Sequence, residues 1–266
     1  MNTMLPHPLL KVDQVTVRFG GLTAVDRVSF DVHQGELLGL IGPNGAGKTT
    51  MLRAITGVAA ASDGAVYLNG ASLVGLPIEQ RIRRGLSLSQ QLVKPLYNMS
   101  LLDNVALAAG AHKTRSPLRA LMAVSNQDEL ALAMQLLERV GIAERARQMP
   151  STQPLGILKR LELARALALK PQLFLLDEPL AGLNSQEARS LANTIADIHA
   201  GGMTVVLIEH NLGEVMRLCQ RLVVLDNGRK IGDGPPREVM NDPVVQAAYL
   251  GGDKLAHAQT QEATGA

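Results

Sequence analysis

The sequence predicts an α/β fold with a parallel-rich core sheet, an early antiparallel β layer and an inserted helical subdomain. Three short apolar runs, Leu37–Ile41, Leu173–Leu176 and Thr204–Ile208, have the length and composition of strands that are buried on both faces. Each run is followed by a segment with helical periodicity, and this alternation favours parallel strands. The pattern from about Ser100 to Ile142 is helical and predicts the insertion.

The first third of the chain combines β patterns with one strand–loop–helix unit. Segment Leu10–Phe19 alternates loosely, and a second strand is predicted over Val28–Val32. Lys48–Thr56 is predicted to be a helix because its apolar residues share one face. Val66–Leu68 runs into Asn69-Gly70, a pair that tolerates the positive φ angles of a type I′ turn, so a hairpin is expected there.

The later elements return to the α/β pattern. A helix is expected to stop at Gly141, and further helices are expected over 154–169, 185–200 and 211–221, with a last strand over Leu222–Leu225. The predicted organisation is a core in two parts, 1–98 with the antiparallel β subdomain and 154–252, which flank a helical subdomain at 99–153. Residues 253–266 are small and polar, and we expect a disordered tail.

Composition excludes several classes of protein. Of 266 residues, 46% are hydrophobic and 19% are charged, which excludes a largely disordered chain. The net charge of +2 does not indicate the basic surface of a nucleic-acid-binding protein, and 2% of aromatic residues is too few for stacking on bases. The single cysteine, Cys219, excludes a disulfide framework and is expected to be a buried small hydrophobe in a reducing compartment. No signal peptide is evident and no apolar run approaches about 18 residues, so we expect a membrane role only through a partner.

A glycine-rich loop joins the strand Leu37–Ile41 to the helix Lys48–Thr56. It matches the pattern G-x-x-x-x-G-K-[ST] in the required strand–loop–helix context, and this agreement disfavours a glycine turn with an accidental lysine. Such loops direct backbone N–H groups at phosphates, the lysine adds charge at the β- and γ-phosphates, and the threonine offers a hydroxyl to Mg²⁺. The sequence therefore predicts a P-loop NTPase core with ATP and Mg²⁺ as cofactors. The predicted nucleotide-binding residues are Gly42, Pro43, Asn44, Gly45, Ala46, Gly47, Lys48, Thr49 and Thr50.

Polar residues follow two of the buried strands. Asp177 and Glu178 end the run Leu173–Leu176, where adjacent carboxylates are costly unless a cation or a substrate meets them. Asp177 is predicted to hold Mg²⁺, and Glu178 is predicted to act as the general base on the attacking water. His210 follows the next strand and could contact the γ-phosphate. The alternatives are a solvated acidic turn and an ordinary loop histidine.

These residues, in this order, resemble the nucleotide-binding subunits of ATP-binding cassette (ABC) transporters over about Leu10 to Gly251. The resemblance implies that Phe19 stacks on adenine, although a core phenylalanine is the alternative. It also implies that Gln91 binds Mg²⁺, contributes to catalysis and couples to the membrane subunit. Gln90 is adjacent and remains an alternative for that role, as does a polar loop pair without function.

Three stretches, 19–25, 208–211 and 247–251, look like those of branched-chain amino-acid importer ATPases, while amide, urea and lipopolysaccharide transport ATPases share part of them. The resemblance implies an ATP-hydrolysing subunit that powers uptake of amino acids, and branched-chain amino acids are the favoured cargo. It implies membrane-spanning permease subunits as partners, a second ATPase that is a different chain or another copy, and indirectly a periplasmic or extracellular solute-binding protein. The expected place is the cytoplasmic face of the inner membrane. A soluble cassette in translation or DNA repair is disfavoured by the single phosphate loop, and a non-hydrolysing module is disfavoured by Glu178.

The chain departs from the family at two places. The family signature Leu-Ser-Gly-Gly-Gln is replaced by Gln153-Pro154-Leu155-Gly156-Ile157, so Pro154 stands where the serine hydroxyl would grip the γ-phosphate of the opposite subunit. Ser151 or Thr152 could replace that hydroxyl. Asn184 stands where the family often has aspartate. These departures suggest that the two ATP sites of a cassette pair are unequal. The site built on this chain's own phosphate loop is expected to be complete, and the site that uses this chain's signature is expected to be weaker.

Overall fold

The computed structural model describes residues 7–89, 94–111 and 127–250. They form two compact units. The first comprises the described residues up to Arg81 and from Val206 onward, and the second comprises those between Ile82 and Val205. The predicted domain boundaries at 98, 153 and 252 stay predictions, and the predicted tail, 253–266, lies outside the described residues.

In chain order, the elements are β1 (Leu10–Phe19), β2 (Leu22–Val32), β3 (Leu37–Ile41), α1 (Lys48–Thr56), β4 (Asp63–Leu68), β5 (Ala71–Ser72), α2 (Ile78–Arg83), β6 (Leu86–Ser89), α3 (Leu101–Ala109), α4 (Gln127–Arg139), α5 (Leu155–Ala168), β7 (Leu173–Asp177), α6 (Ser185–Ala200), β8 (Thr204–Ile208), α7 (Leu212–Leu218), β9 (Arg221–Asp226), β10 (Arg229–Gly234) and α8 (Pro236–Asn241). Short 3₁₀ turns cover Ala143–Arg145 and Pro150–Thr152, and residues 243–250 are helical. None of the described helices has both the length and the apolarity that crossing a membrane requires.

The first unit contains the expected antiparallel layer, with strand order β2-β1-β4-β5. The turn between β4 and β5 has positive φ at both Asn69 and Gly70, as predicted for the hairpin. Strand β2 is longer than predicted and begins at Leu22, because it pairs with β1 as far as the Phe19–Leu22 register. In the same unit β3 runs parallel to β9, and β9 pairs with β10 in the antiparallel sense.

The second unit contains the parallel pair β6 and β7 together with the helices α3 to α6. Helix α3 packs against α4 and α5, and α4 packs against α5. Helix α4 ends near the predicted stop, where Gly141 has φ 74° and its N–H donates to the carbonyl oxygen of Glu138. The predicted loops at 115–117 and 124–126 lie outside the described residues.

One helix end was predicted wrongly. Helix α7 stops at Leu218 rather than Arg221, because Cys219 is already extended and Arg221 opens β9, where it pairs with Leu38. The Arg221 guanidinium lies 2.7 Å from an Asp233 carboxylate oxygen, which holds it at the strand. Cys219 is buried, as predicted, and burial raises the pKa of its thiol to about 12.

Candidate nucleotide-binding site

The glycine loop of the first unit can be built only with glycine at its two ends. Gly42 has φ 146°, and a Cβ there would lie 2.0 Å from the carbonyl oxygen of Leu225. Gly47 has φ 101° and caps α1, and a Cβ there would lie 2.7 Å from the carbonyl oxygen of Ala24. The close approach of neighbouring backbone therefore fixes both ends of the loop.

Backbone hydrogen bonds hold the loop in its curl. The N–H of Ala46 donates to the carbonyl oxygen of Pro43 at 3.2 Å, and the carbonyl oxygen of Ala46 accepts from Gly228 in the β9–β10 turn at 3.1 Å. The N–H of Met51 donates to the carbonyl oxygen of Gly47 at 2.8 Å and starts the helical ladder. Backbone hydrogen bonds from within the loop and from the β9–β10 turn thus support the curl of the loop.

The Lys48 side chain folds back over this loop. It is only 5% exposed, and its Nζ donates to the carbonyl oxygens of Gly42 at 2.8 Å and Pro43 at 2.9 Å. The first turn of α1 contains no acidic residue, so its N–H groups and the ammonium together favour an anion. Thr49 and Thr50 are half-buried in that turn. This cradle has the donors that the phosphates of ATP require.

Two further predicted residues lie in the first unit. Phe19 ends β1 and is 52% exposed, so it is not a core residue and offers an apolar face to a ring. His210 is exposed after β8, and its backbone N–H donates to Oε2 of Glu209 at 3.2 Å. Glu209 is only 5% exposed and shapes this turn, a contribution that sequence reasoning missed although a carboxylate directly after a buried strand is a usable signal.

The predicted carboxylates lie in the second unit. Asp177 ends β7 after four buried residues, and Glu178 follows with a left-handed backbone at φ 49°. The carbonyl oxygen of Glu178 accepts from the N–H of Ala181 at 3.2 Å and from Nζ of Lys159 at 3.2 Å. Lys159 is 4% exposed on α5 and was missed by sequence reasoning, because helical periodicity does not reveal which backbone carbonyl a lysine meets.

The altered signature also lies in the second unit. Pro154 is the N-cap of α5, and its carbonyl oxygen accepts from the N–H groups of Ile157 and Leu158. The helix start therefore survives without the serine. The hydroxyl of Thr152 donates to the carbonyl oxygen of Met149 at 2.9 Å and accepts from Nε2 of Gln153 at 2.8 Å, so it already takes part in the local turn.

Asn184 caps α6 in the second unit. Its Oδ1 accepts from the N–H of Glu187 at 2.9 Å, and Oε2 of Glu187 accepts from the N–H of Asn184 at 3.2 Å, a complete capping box. The amide thus performs the hydrogen bonding of the aspartate that the family often has here.

Gln91 and Gln90 lie outside the described residues. Among the residues that the structure describes, no cluster of three or more histidine, cysteine or acidic side chains could hold a metal ion. Mg²⁺ needs only one or two protein oxygen ligands beside phosphates and waters. The Thr49 hydroxyl in the first unit and the Asp177 carboxylate in the second unit are each an oxygen donor of the kind that Mg²⁺ accepts.

A comparison with protein-family models matches residues 25–181 to the ABC transporter model. The chain belongs to the ABC transporter family. It is therefore an ATP-binding cassette ATPase, and residues 229–254 also match the model for branched-chain amino acid ATP-binding cassette transporters. The α/β fold predicted from the sequence is confirmed.

Relatives agree with this assignment. The cassette is 36% identical to the high-affinity branched-chain amino acid transport ATP-binding protein LivG of Escherichia coli K12, a match that spans 93% of this chain and 99% of that protein. It is 33% identical to the lipopolysaccharide export system ATP-binding protein LptB of Acidithiobacillus ferridurans, over 91% of this chain and 97% of that protein. The crystal structure of MJ1267, an ATP-binding cassette of an ABC transporter in its ADP conformation, superposes with a TM-score of 0.81 at 29% identity and covers 92% of this chain and 99% of that one.

Proposed function

We propose that this cassette hydrolyses ATP to power the uptake of amino acids, and that its cargo is the branched-chain amino acids. The main support for this cargo is the match of residues 229–254 to the family model of branched-chain amino acid ATP-binding cassette transporters. The identity to LivG, which extends over 93% of this chain, supports the same cargo.

The nucleotide is held from the first unit. Lys48 and the backbone N–H groups of the glycine loop bind the phosphates, and the exposed ring of Phe19 stacks on adenine. Thr49, Asp177 and Gln91 would supply oxygen ligands to Mg²⁺, which would contribute positive charge to offset the negative charge of the phosphates.

Hydrolysis needs a water molecule activated beside the γ-phosphate. Glu178 accepts the proton of that water as it attacks, which is general-base catalysis by a carboxylate. Its left-handed backbone, fixed through the Lys159 hydrogen bond, limits the positions that its side chain can reach. His210 contacts the γ-phosphate from the end of β8, and Gln91 links the site to the membrane subunit.

The cassette acts with partners at the cytoplasmic face of the inner membrane. A second cassette faces this one, and ATP binding and hydrolysis close and reopen the pair. Membrane-spanning permease subunits respond to this conformational change. A solute-binding protein delivers the cargo from the other side of the membrane. Pro154 removes one charge-assisted hydrogen bond from the site that uses this signature, a bond worth roughly 1.5–3 kcal/mol. We therefore propose that the second cassette is a different chain with an intact signature.

A lipopolysaccharide-export role is the second candidate, favoured by the 33% identity to LptB. The two roles differ in their partners and cargo. Amide or urea transport is a further alternative, because the ATPases of such importers have stretches similar to those of this chain. A soluble cassette would have no multi-spanning partner.

The test is affinity purification of the tagged chain from membranes of its native host in mild detergent. Two multi-spanning proteins and a second, different cassette are the expected partners. Multi-spanning proteins with this chain as the only cassette would contradict the asymmetric pairing. Recovery only with ribosomes or repair proteins would contradict the transport function.

A further inference from the structure

The end of β9 and the turn that follows it lie along the phosphate loop of the same unit. At the start of the loop, a Cβ built on Gly42 would collide with the carbonyl oxygen of Leu225 in β9. Near the end of the loop, the N–H of Gly228 donates to the carbonyl oxygen of Ala46 at 3.1 Å. The turn has positive φ at Asn227 and Gly228, which gives it the sharp reversal of a two-residue hairpin. The β9–β10 hairpin therefore contacts the loop at its start and near its end.

The Gly228 hydrogen bond fixes the direction of one peptide of the loop. In a planar trans peptide the C=O and the N–H point in opposite directions. Because the carbonyl oxygen of Ala46 points at the turn, the N–H of the next residue, Gly47, points away from the turn. Backbone N–H groups of such loops are the donors that bind phosphates. The turn thus sets the orientation of one donor of the loop.

Strand β2 contacts the same turn and the same end of the loop. The N–H of Asp26 donates to the carbonyl oxygen of Gly228 at 2.8 Å. The carbonyl oxygen of Ala24 lies close to two glycines, since a Cβ would lie 2.7 Å from it at Gly47 and 2.8 Å from it at Gly228. Loop, strand and turn meet this closely because both positions are glycine. A shift of the turn is therefore passed on to the loop.

An ion pair joins the side chains of this strand and this turn. Nη2 and Nε of Arg229 lie 2.8 and 2.9 Å from Oδ2 of Asp26. The hydrogen bond from Arg229 holds the pKa of the Asp26 carboxyl below its ordinary value, so the carboxylate is charged at neutral pH. Nε of Arg27 lies 3.3 Å from Oδ1 of the same carboxylate, but Arg27 belongs to β2 and cannot hold the turn. The Arg229 pair connects strand and turn directly beside both hydrogen bonds of Gly228.

We propose that Asp26 and Arg229 are positioning residues for nucleotide binding, whose ion pair holds the β9–β10 turn against the phosphate loop and so keeps the Gly47 N–H directed at a phosphate. This inference rests on ATP binding at the loop. It gives a role to the first residue of the segment 229–254, since Arg229 opens that segment. The side chains are 21% and 68% exposed, so the effect is modest and weakens as salt screens the pair.

The test is a double-mutant cycle in the full chain with Asp26→Asn, Arg229→Gln and the double variant, and ADP is the titrated probe. Each single variant is expected to raise the Kd of ADP about twofold to fivefold, the range for an exposed ion pair. The double variant should raise it no further, because either substitution alone already breaks the pair. The same cycle on the ion pair of Lys11 with Asp13 in β1, whose atoms lie 3.1 Å apart, is the matched control and should leave Kd unchanged.

Salt and steady-state kinetics distinguish positioning from a loss of folded protein. In about 1 M NaCl, where the Debye length is about 3 Å, the difference in Kd between the variants and the wild type should shrink. In the ATPase assay of the assembled complex, KM for ATP should rise while kcat at saturating ATP stays unchanged. A smaller folded fraction would instead lower kcat and leave KM as it is.

Wild-type ADP affinity in both single variants would overturn the proposal while nucleotide binding at the loop stands. Effects that simply add in the double variant, or a rise in Kd that high salt leaves unchanged, would overturn it as well. A wild type that binds no ADP would show that nucleotide binding at this loop is wrong, and the inference would fall with it.

Discussion

Nζ of Lys159 lies 3.2 Å from the backbone carbonyl oxygen of Glu178. The lysine is buried on α5, and the residue that it holds has a left-handed backbone, which a glutamate adopts only at a cost. The hydrogen bond is charge-assisted and offsets part of that cost. A residue two positions beyond the altered signature is therefore hydrogen-bonded to the backbone of the proposed general base.

Replacing Lys159 with methionine should lower kcat of the assembled complex about tenfold and leave KM for ATP nearly unchanged. The variant keeps the apolar stem and removes the donor, so the Glu178 backbone is less well fixed while the phosphate loop is untouched. Steady-state ATPase kinetics measure both constants. Lys170→Met, at an exposed lysine of the same unit, is the control, and wild-type kcat in Lys159→Met would contradict the expected role.

Replacing Glu178 with glutamine should lower the hydrolysis rate at least a hundredfold and leave ATP bound. The amide cannot accept the proton of the attacking water, and general-base catalysis contributes about 10²–10⁴-fold. Bound ATP is measured by chromatography of the purified complex after denaturation. Glu138→Gln, at an exposed position on α4, should hydrolyse normally. Unimpaired hydrolysis by Glu178→Gln would remove this residue from the mechanism.

Restoring Pro154 to serine should raise the ATPase rate of the assembled complex severalfold. A serine hydroxyl at the N-cap of α5 restores a donor toward the opposite γ-phosphate. It also provides a cap acceptor that proline does not have. The isolated chain should become slightly more stable, by about 1 kcal/mol. An unchanged or lower rate in the complex would contradict the asymmetry that we propose.

Replacing Asn184 with alanine should destabilise the chain by about 0.5–2 kcal/mol, because it removes the Oδ1 that accepts from the N–H of Glu187 at the start of α6. Asn184→Asp should retain the cap and gain from the helix dipole. Urea unfolding gives the free energy for both variants. Equal losses for alanine and aspartate would show that the cap does not stabilise α6.

The free energy of unfolding should fall as pH rises above about 9. Burial raises the pKa of Cys219 from its ordinary value of 9.0 to about 12, so between those values the unfolded chain loses a proton that the folded chain retains. Stability from the protonated thiol is present below pH 9 and is lost as pH rises toward 12. Urea unfolding across this range should show a smaller slope for Cys219→Ala. A slope that the substitution leaves unchanged would contradict a buried thiol.

Local sequence signals predicted the elements around the loop well. Helix α1 spans Lys48–Thr56 as predicted, since Gly47 starts it and Gly57, at φ 83°, ends it. Helix α6 and strand β8 also have their predicted bounds, because apolar periodicity and an N-cap are local patterns. The end of α7 was missed because tertiary pairing of Arg221 in β9 overrides helical periodicity.

Side-chain contacts between distant segments were not predictable. The contact of Lys159 with the backbone of Glu178 joins a helix to the residue after a strand, and the periodicity of α5 does not indicate this partner. The phosphate loop was identified because the residues that bind the phosphates are consecutive in the sequence. The roles of Asp177, Glu178, His210 and Phe19 stay predictions until the variants are measured.

Uptake of labelled leucine tests the central claim most directly. Native host cells that lack this gene are complemented with wild type or Glu178→Gln, and uptake of leucine and of urea is measured at submicromolar concentration. We predict that wild type restores leucine uptake, that Glu178→Gln does not, and that urea uptake is unaffected throughout. Leucine uptake that is independent of the gene, or restored equally by Glu178→Gln, would contradict an ATP-driven amino-acid importer.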